Sequence, residues 1–134
     1  NRLAPLYEIY QFGRPALLGK KDATVSFSSQ TFKVESFKGT DRESAKKALD
    51  FAKEVLKEKK PHLLVLDEIN LALHWKLLDI KDVLELLDNI PKETDVVLTG
   101  RYAPKELIEK ADFANTIQEI KTPKEFKATK GIQY

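Results

Sequence analysis

The chain has 134 residues, of which 42% are hydrophobic and 33% are charged. That length supports one compact domain with its own core, so residues 1–134 are predicted to form a single domain. Its 23 Lys and Arg residues nearly balance 21 Asp and Glu residues, and a net charge of +2 gives no general attraction for nucleic acid or an anionic membrane. Because these residues include no cysteine, they exclude disulfides, thiolate metal sites and cysteine nucleophiles.

Neither a signal peptide nor a membrane span is predicted, since no apolar run is long enough for either. We therefore expect a cytoplasmic protein that has no membrane and no nucleic-acid partner. The chain contains no methionine and begins at Asn1, a residue large enough to disfavour removal of an initiator methionine before it. This pattern predicts that residues 1–134 are a fragment or a processed product.

The first forty residues contain two weak strand signals. Residues 6–12 are apolar and aromatic in a β-prone context that ends at Gly13, so they are predicted to form a strand. Residues 25–27 and 32–34 alternate around a polar centre, which fits either a small hairpin or an irregular loop.

Four helices are predicted after residue 39. Thr40 and Glu43 form a capping box at the start of the first helix, whose apolar residues recur at helical spacing until Lys57. The other three are a short helix over residues 69–77, a helix capped by Asp79 and a helix begun by Pro104.

Strands are predicted between these helices at residues 63–66, 96–98 and 115–120, the first two as buried apolar runs. Strands separated by helices imply an α/β fold with a mostly parallel sheet flanked by helices. Such sheets bind ligands at the carboxyl ends of their strands. The polar residues that follow the first two strands are Asp67, Glu68, Thr99, Gly100 and Arg101.

The adjacent carboxylates of Asp67 and Glu68 are the strongest functional signal. A hard divalent cation such as Mg²⁺ prefers oxygen ligands, and P-loop nucleotide enzymes hold such a cation at a strand end beside a triphosphate. The Gly-rich loop with Gly-Lys-Ser/Thr that usually cradles the triphosphate does not occur in residues 1–134. Acidic pairs also cap the helix that follows them, so this structural role stays open.

Several motifs of the second half occur together in a fixed order. They are Leu-Asp-Glu-Ile-Asn at 66–70, Leu-Thr-Gly-Arg at 98–101, Ala-Pro-Lys-Glu-Leu-Ile at 103–108, Ala-Asp at 111–112 and Gly-Ile-Gln-Tyr at 131–134. In order and spacing this set resembles the ATP:corrinoid adenosyltransferases of the P-loop type.

The resemblance implies a RecA-like P-loop NTPase fold whose first strand and phosphate loop are missing from residues 1–134. It implies transfer of the 5′-deoxyadenosyl group of ATP to the Co(I) of a corrinoid, release of triphosphate, and Mg²⁺ or Mn²⁺ on the phosphates. A carboxylate-held cation and an apolar, aromatic environment around Co(I) suit this chemistry. The implied partners are ATP, a corrinoid, an electron donor or reductase that supplies Co(I), and a second copy in a homodimer.

The resemblance also assigns site residues by position. Glu68 is expected to contact the metal, and Asp67 to position it or contact its water, so both are candidate catalytic residues. The other candidates are Thr99, Gly100 and Arg101 for the nucleotide and Tyr10, Phe12 and Arg14 for the corrinoid.

Other readings stay open. A relative without the phosphate loop would bind a corrinoid or nucleotide without catalysis, and an ATP-hydrolysing RecA-type motor is a third class, which the Thr-Gly-Arg and Gly-Ile-Gln-Tyr motifs disfavour. Arg101 is also explained as a surface ion-pair partner, and the aromatics of residues 7–12 as strand core. His62 and His74 have no second ligand at metal spacing, so they are read as solvated or packing residues.

Overall fold

The computed structural model describes residues 7–13, 22–27, 30–35 and 39–121. The chain divides into two compact units, one of residues 1–15 and 37–112 and one of residues 16–36 and 113–134. Two sequence predictions, the corrinoid residue Arg14 and the Gly-Ile-Gln-Tyr motif at 131–134, lie outside the described residues.

The unit of residues 16–36 and 113–134 contains a β-hairpin. Its strands are β1 (Asp22–Phe27) and β2 (Gln30–Glu35), which pair antiparallel, and this confirms the hairpin alternative. The strand predicted at 115–120 is wrong, because residues 113–121 form neither helix nor strand and Ile117 is 97% exposed. An apolar pattern suggests a strand, but a strand forms only where a neighbouring strand pairs with its backbone N–H and C=O groups.

The other unit contains the four predicted helices. They are α1 (Gly39–Glu58), α2 (Ile69–His74), α3 (Ile80–Asp88) and α4 (Lys105–Lys110). Helix α1 begins one residue before its predicted cap, Thr40. Asp79 caps α3 as predicted, since its Oδ1 accepts a hydrogen bond from the Lys81 N–H at 2.9 Å. Among the described residues, no helix is both long and apolar enough to cross a membrane.

Between the helices lie two parallel strands, as predicted. Strand β3 (Leu63–Leu66) pairs with β4 (Asp95–Leu98), with Leu63 opposite Asp95 and Leu66 opposite Leu98. The Thr99 N–H continues the ladder to the Leu66 carbonyl at 3.2 Å. Both strands therefore end at the same edge of the sheet, which brings the residues that follow them together.

Only one face of this sheet is covered in the described residues. Alternate side chains of β3 and β4 pack on a core of buried helix residues, namely Leu49, Ala52 and Leu56 of α1, Ile69 and Leu73 of α2, Val83 and Leu86 of α3, and Leu107 of α4. On the other face, Leu63 is 56% and Val65 50% exposed. The prediction of fully buried strands is therefore wrong for this face.

The strand predicted at residues 6–12 is also wrong where the structure describes it, since residues 7–12 form neither helix nor strand. Their aromatic rings instead lie against α1, with the Tyr10 and Phe12 ring centroids 4.6 and 5.5 Å from that of Phe51. Lys59, the residue after α1, donates to Glu8 at 2.8 Å and to the Tyr10 hydroxyl at 3.3 Å. Two of the aromatic rings that the sequence assigned to a strand thus contact a helix, although both residues stay exposed.

Candidate functional site at the carboxyl edge of the parallel sheet

The Thr99 hydroxyl joins the two acidic residues at the end of β3. It donates to Asp67 Oδ1 at 2.6 Å and accepts a hydrogen bond from the Glu68 N–H at 3.0 Å. One side chain therefore fixes the carboxylate of Asp67 and the backbone of Glu68. This contact follows from the register of β3 and β4, which places residues 67 and 99 at equivalent positions beyond the paired strands.

Glu68 has a left-handed backbone, with φ of 58° and ψ of 22°, at the start of α2. Such a conformation costs a non-glycine residue on the order of 1 kcal/mol and is found where the surroundings enforce it. The Glu68 side chain makes no capping hydrogen bond to α2. The alternative that this carboxylate merely caps the helix is therefore not what the structure shows, and its oxygens are available for a ligand.

Gly100 provides the space that Glu68 occupies. Its φ is +119°, and a Cβ at this position would lie 3.1 Å from Glu68 Oε2 and 3.2 Å from Glu68 Cα. Both the backbone angle and the crowding favour glycine here. Thr99 and Gly100, after β4, thus fix the position of the acidic residues that follow the neighbouring strand.

Asn70 fastens α2 to the same loop, a role that the sequence analysis missed. Its N–H donates to the Thr99 carbonyl at 3.2 Å, and its Nδ2 donates to the Gly100 carbonyl at 3.1 Å. The residue is 6% exposed, and its Oδ1 has no hydrogen-bond partner. Its place in the Leu-Asp-Glu-Ile-Asn motif, at the second residue of the helix that follows the acidic pair, was the available signal.

An aromatic pair lies beside Arg101 and was also missed. The rings of His74 and Tyr102 are stacked, with centroids 4.3 Å apart and an angle of 25° between their planes. The Arg101 guanidinium carbon lies 6.0 Å from the Tyr102 centroid, and Tyr102 has a left-handed backbone with φ of 62°. From sequence, His74 gave no sign of this contact, because the stack depends on how the loop after β4 meets α2.

The acidic pair suits a divalent cation that is shared with a phosphate ligand. Mg²⁺ is commonly held by one or two carboxylates, several waters and substrate phosphates rather than by a protein cage. Asp67 and Glu68 supply two exposed carboxylates, and the described part of the chain contains no group of three His, Cys, Asp or Glu residues able to hold a metal. The donor set fits a metal that arrives with its anionic ligand.

Comparison with known proteins gives the family. The model of the ATP:corrinoid adenosyltransferase BtuR/CobO/CobP family matches residues 8–134. A corrinoid adenosyltransferase of Sinorhizobium sp is 39% identical over 93 residues, which are 67% of this chain and 44% of that protein. A corrinoid adenosyltransferase of Escherichia coli K12 is 25% identical over 97 residues, 71% of this chain and 50% of that protein. An uncharacterized Nostoc sp. protein is 32% identical over 114 residues, 85% of this chain and 29% of that protein.

The fold and the edge together define a small α/β protein with polar, ligand-type residues at the carboxyl ends of parallel strands. Because the family match covers nearly all of the chain, the chain belongs to the ATP:corrinoid adenosyltransferase family, and the resemblance seen in its motifs is confirmed. The chain spans about half, or less, of the length of the curated relatives it matches.

Proposed function

We propose that the protein transfers the 5′-deoxyadenosyl group of ATP to the Co(I) centre of a corrinoid substrate. In this reaction the Co(I) electron pair forms a bond to ribose C5′ while the C5′–O bond breaks and the triphosphate leaves with that bond's electrons. The observation that carries the proposal is the pair of acidic residues organised by Thr99, in a chain of this family. Transfer to C5′ requires stabilisation of the negative charge on the leaving triphosphate, and a divalent cation held by the two carboxylates would supply it.

Glu68 and Asp67 are the residues that would hold Mg²⁺ or Mn²⁺ with the triphosphate. When bound, the cation supplies positive charge to the leaving group. Thr99 orients the Asp67 carboxylate and Gly100 leaves room for Glu68, so both border the nucleotide chiefly as positioning residues. Arg101 follows them in the loop, and a guanidinium is suited to paired hydrogen bonds with phosphate oxygens.

Tyr10, Phe12 and Arg14 are proposed to contact the corrinoid. The Tyr10 and Phe12 rings rest on Phe51 yet stay exposed, so they form an aromatic surface of the kind that shields Co(I) from water. An electron donor or reductase must supply Co(I), because neither ATP nor the acidic pair can reduce cobalt.

For the complete protein we propose a RecA-like P-loop fold, with residues 1–134 in a single adenosyltransferase domain located in the cytoplasm. The half-covered sheet supports this, because parallel sheets are normally covered on both faces. Within the described residues, β3 and β4 pair only with each other, so an outer edge is available for further strands or for a homodimer contact.

The test is anaerobic adenosylation by the protein expressed from its full reading frame. ATP, Mg²⁺ and chemically reduced cob(I)alamin are mixed with the enzyme, and loss of the Co(I) absorption band is followed. Glu68→Gln should lower the rate about 100-fold or more, in line with the removal of one charge-stabilising group. Glu93→Gln is the matched control, since Glu93 is exposed in the turn before β4 and should leave the rate unchanged.

Two results would count against the proposal. A Glu68→Gln enzyme as fast as the unmodified protein would remove the acidic pair from the reaction. A protein that binds corrinoid or nucleotide tightly but never consumes Co(I) would be the non-catalytic relative.

A further inference from the structure

The stacked pair of His74 and Tyr102 is exposed next to the acidic edge. Tyr102 is 58% exposed and His74 is exposed as well, although ring centroids 4.3 Å apart bury part of each ring against the other. Stacked aromatic side chains are usually covered in a core, because each ring removes a large apolar area from water. An exposed stack therefore needs a reason other than core packing.

Both residues of the stacked pair lie on segments that are held at the acidic edge by hydrogen bonds. His74 lies on α2, one turn after Asn70, and Tyr102 lies on the loop that Asn70 binds through the carbonyls of Thr99 and Gly100. Three hydrogen bonds and the ring stack therefore join α2 to this loop. A ligand that contacts the rings meets a surface already held in place, which lowers the entropy lost on binding.

The backbone of Tyr102 adds a second, independent observation. A bulky aromatic residue with φ of 62° is unusual, because the left-handed region disfavours large side chains. The backbone strain lies in the same loop as Gly100 at φ +119° and opposite Glu68 at φ 58°. Such strain concentrates where a side chain must be presented in one direction for function.

From these observations we propose that Tyr102 and His74 form a stacking platform for the adenine base of the nucleotide. The inference rests on the proposed function and extends it, because it names the residues that bind the base. Every base offers a π-face, so aromatic stacking binds a purine without hydrogen bonds. Arg101, whose guanidinium carbon lies over the Tyr102 ring at 6.0 Å from its centroid, adds positive charge beside the rings, which favours an anionic nucleotide.

Proton NMR of the histidine rings gives a direct test. His74 is assigned by the loss of its signal in His74→Gln, and His62, which precedes β3 at the opposite end of the strand, is the internal control. The protein from its full reading frame is titrated with Mg²⁺ and ATP, and separately with Mg²⁺ and tripolyphosphate, which lacks the base. ATP should shift the His74 ring protons through the purine ring current, whereas tripolyphosphate should not, and His62 should stay unchanged with both.

Variants at position 102 separate stacking from folding. Tyr102→Asn removes the ring but tolerates the left-handed backbone, and should raise the dissociation constant for ATP about tenfold while leaving that for tripolyphosphate unchanged. Tyr102→Phe keeps the ring and should bind ATP as the unmodified protein does. Thermal unfolding of both variants confirms that each is folded.

The outcomes distinguish the platform from the proposed function. Equal shifts with ATP and tripolyphosphate, or unchanged ATP affinity in Tyr102→Asn, would overturn the platform while adenosylation by the protein would still support the function. A His74 shift caused by hydroxocobalamin and not by ATP would overturn the purine assignment. Failure to bind either ATP or tripolyphosphate would overturn both proposals.

Discussion

The Thr99 hydroxyl makes two hydrogen bonds, one to each acidic residue of the neighbouring strand end. Thr99→Val keeps the shape but leaves the Glu68 N–H without this acceptor and releases the Asp67 carboxylate. We expect it to lower the free energy of unfolding by about 1–2 kcal/mol, the usual cost of losing a hydrogen-bond partner. We also expect at least tenfold slower adenosylation.

Thr99→Ser keeps the hydroxyl and is the control. Urea unfolding and the Co(I) assay measure both effects, and equal losses in the two variants would contradict the role of the hydroxyl.

Gly100 gives a second prediction at this scale. Gly100→Ala places a methyl group 3.1 Å from Glu68 Oε2 on a backbone at φ +119°, so we expect a destabilisation of more than about 1 kcal/mol and weaker Mn²⁺ binding with ATP. Gly39→Ala is the matched control, because it begins α1 and a Cβ there meets no atom within 4 Å. Thermal unfolding compares the two. A Gly100→Ala protein as stable as Gly39→Ala would show that the loop relaxes at no cost.

The sequence predicted the positions of the acidic pair and of Thr99 but not the contact between them. Each follows an apolar run, which is a local signal. The hydrogen bond joins residues 32 positions apart and depends on the register of two strands. Asn70 and Tyr102 were missed for the same reason, since their partners lie on another element.

Among the elements, those with local signals were predicted well. The cap at Asp79 and the helical spacing of α1 are written in neighbouring residues, and both were confirmed. The strands predicted at 6–12 and 115–120 were wrong because a strand also needs a partner, which the local pattern cannot supply. The rings of Tyr10 and Phe12 instead contact Phe51 of helix α1.

The ion pair between Glu8 and Lys59 depends on pH. The hydrogen bond from Lys59, with a second from the Tyr10 hydroxyl, holds the pKa of Glu8 below its ordinary value, and the same contact with Glu8 raises the pKa of Lys59. The contribution of Glu8 to stability is present above its unfolded pKa and lost as the pH falls through the lower folded value. The contribution of Lys59 to stability is present below its unfolded pKa and is lost as the pH rises through its raised folded pKa. The ion pair of Glu8 and Lys59 therefore contributes at neutral pH, and its contribution is lost in acid and in strong alkali.

Lys59→Met tests this assignment. It removes the ammonium group whose hydrogen bond chiefly lowers the pKa of Glu8, so this pKa should rise toward its ordinary value in an NMR titration of the side-chain carboxyl carbon. Lys57→Met, an exposed lysine in the last turn of α1, should leave the titration as it was. A Glu8 pKa that is the same in Lys59→Met and in the unmodified protein would contradict the ion pair between Glu8 and Lys59.

At the scale of the whole molecule, the two faces of the sheet differ. Val65 is 50% exposed, whereas Val96 on the neighbouring strand packs against the core. We expect Val65→Thr to change the free energy of unfolding by no more than about 0.5 kcal/mol, as surface substitutions do. Val96→Thr buries a hydroxyl and should cost about 1–3 kcal/mol. Equal losses in urea unfolding would mean that the second face is covered in solution.

The α/β class and the parallel pairing were predictable because the apolar runs and the helices between them alternate along the chain. The expectation that both faces of the strands are buried was wrong for one face. It was inferred from runs that are apolar at every position. In the structure Leu64 and Leu66 point to the core while Leu63 and Val65 are exposed. A continuous apolar run shows that both faces of a strand are suited to burial, and only the packing shows which face is covered.

We propose that the acidic edge supports attack at ribose C5′ of ATP, as adenosylation requires. The most direct measurement is product analysis after anaerobic turnover with Mg²⁺, ATP and cob(I)alamin, by chromatography and mass spectrometry. We expect one adenosylated corrinoid and one intact triphosphate for each ATP consumed, and about 100-fold less of both products from Glu68→Gln in the same time. ADP and phosphate without a cobalt–carbon bond would contradict it, because they would show attack at the γ-phosphate and an ATP hydrolase.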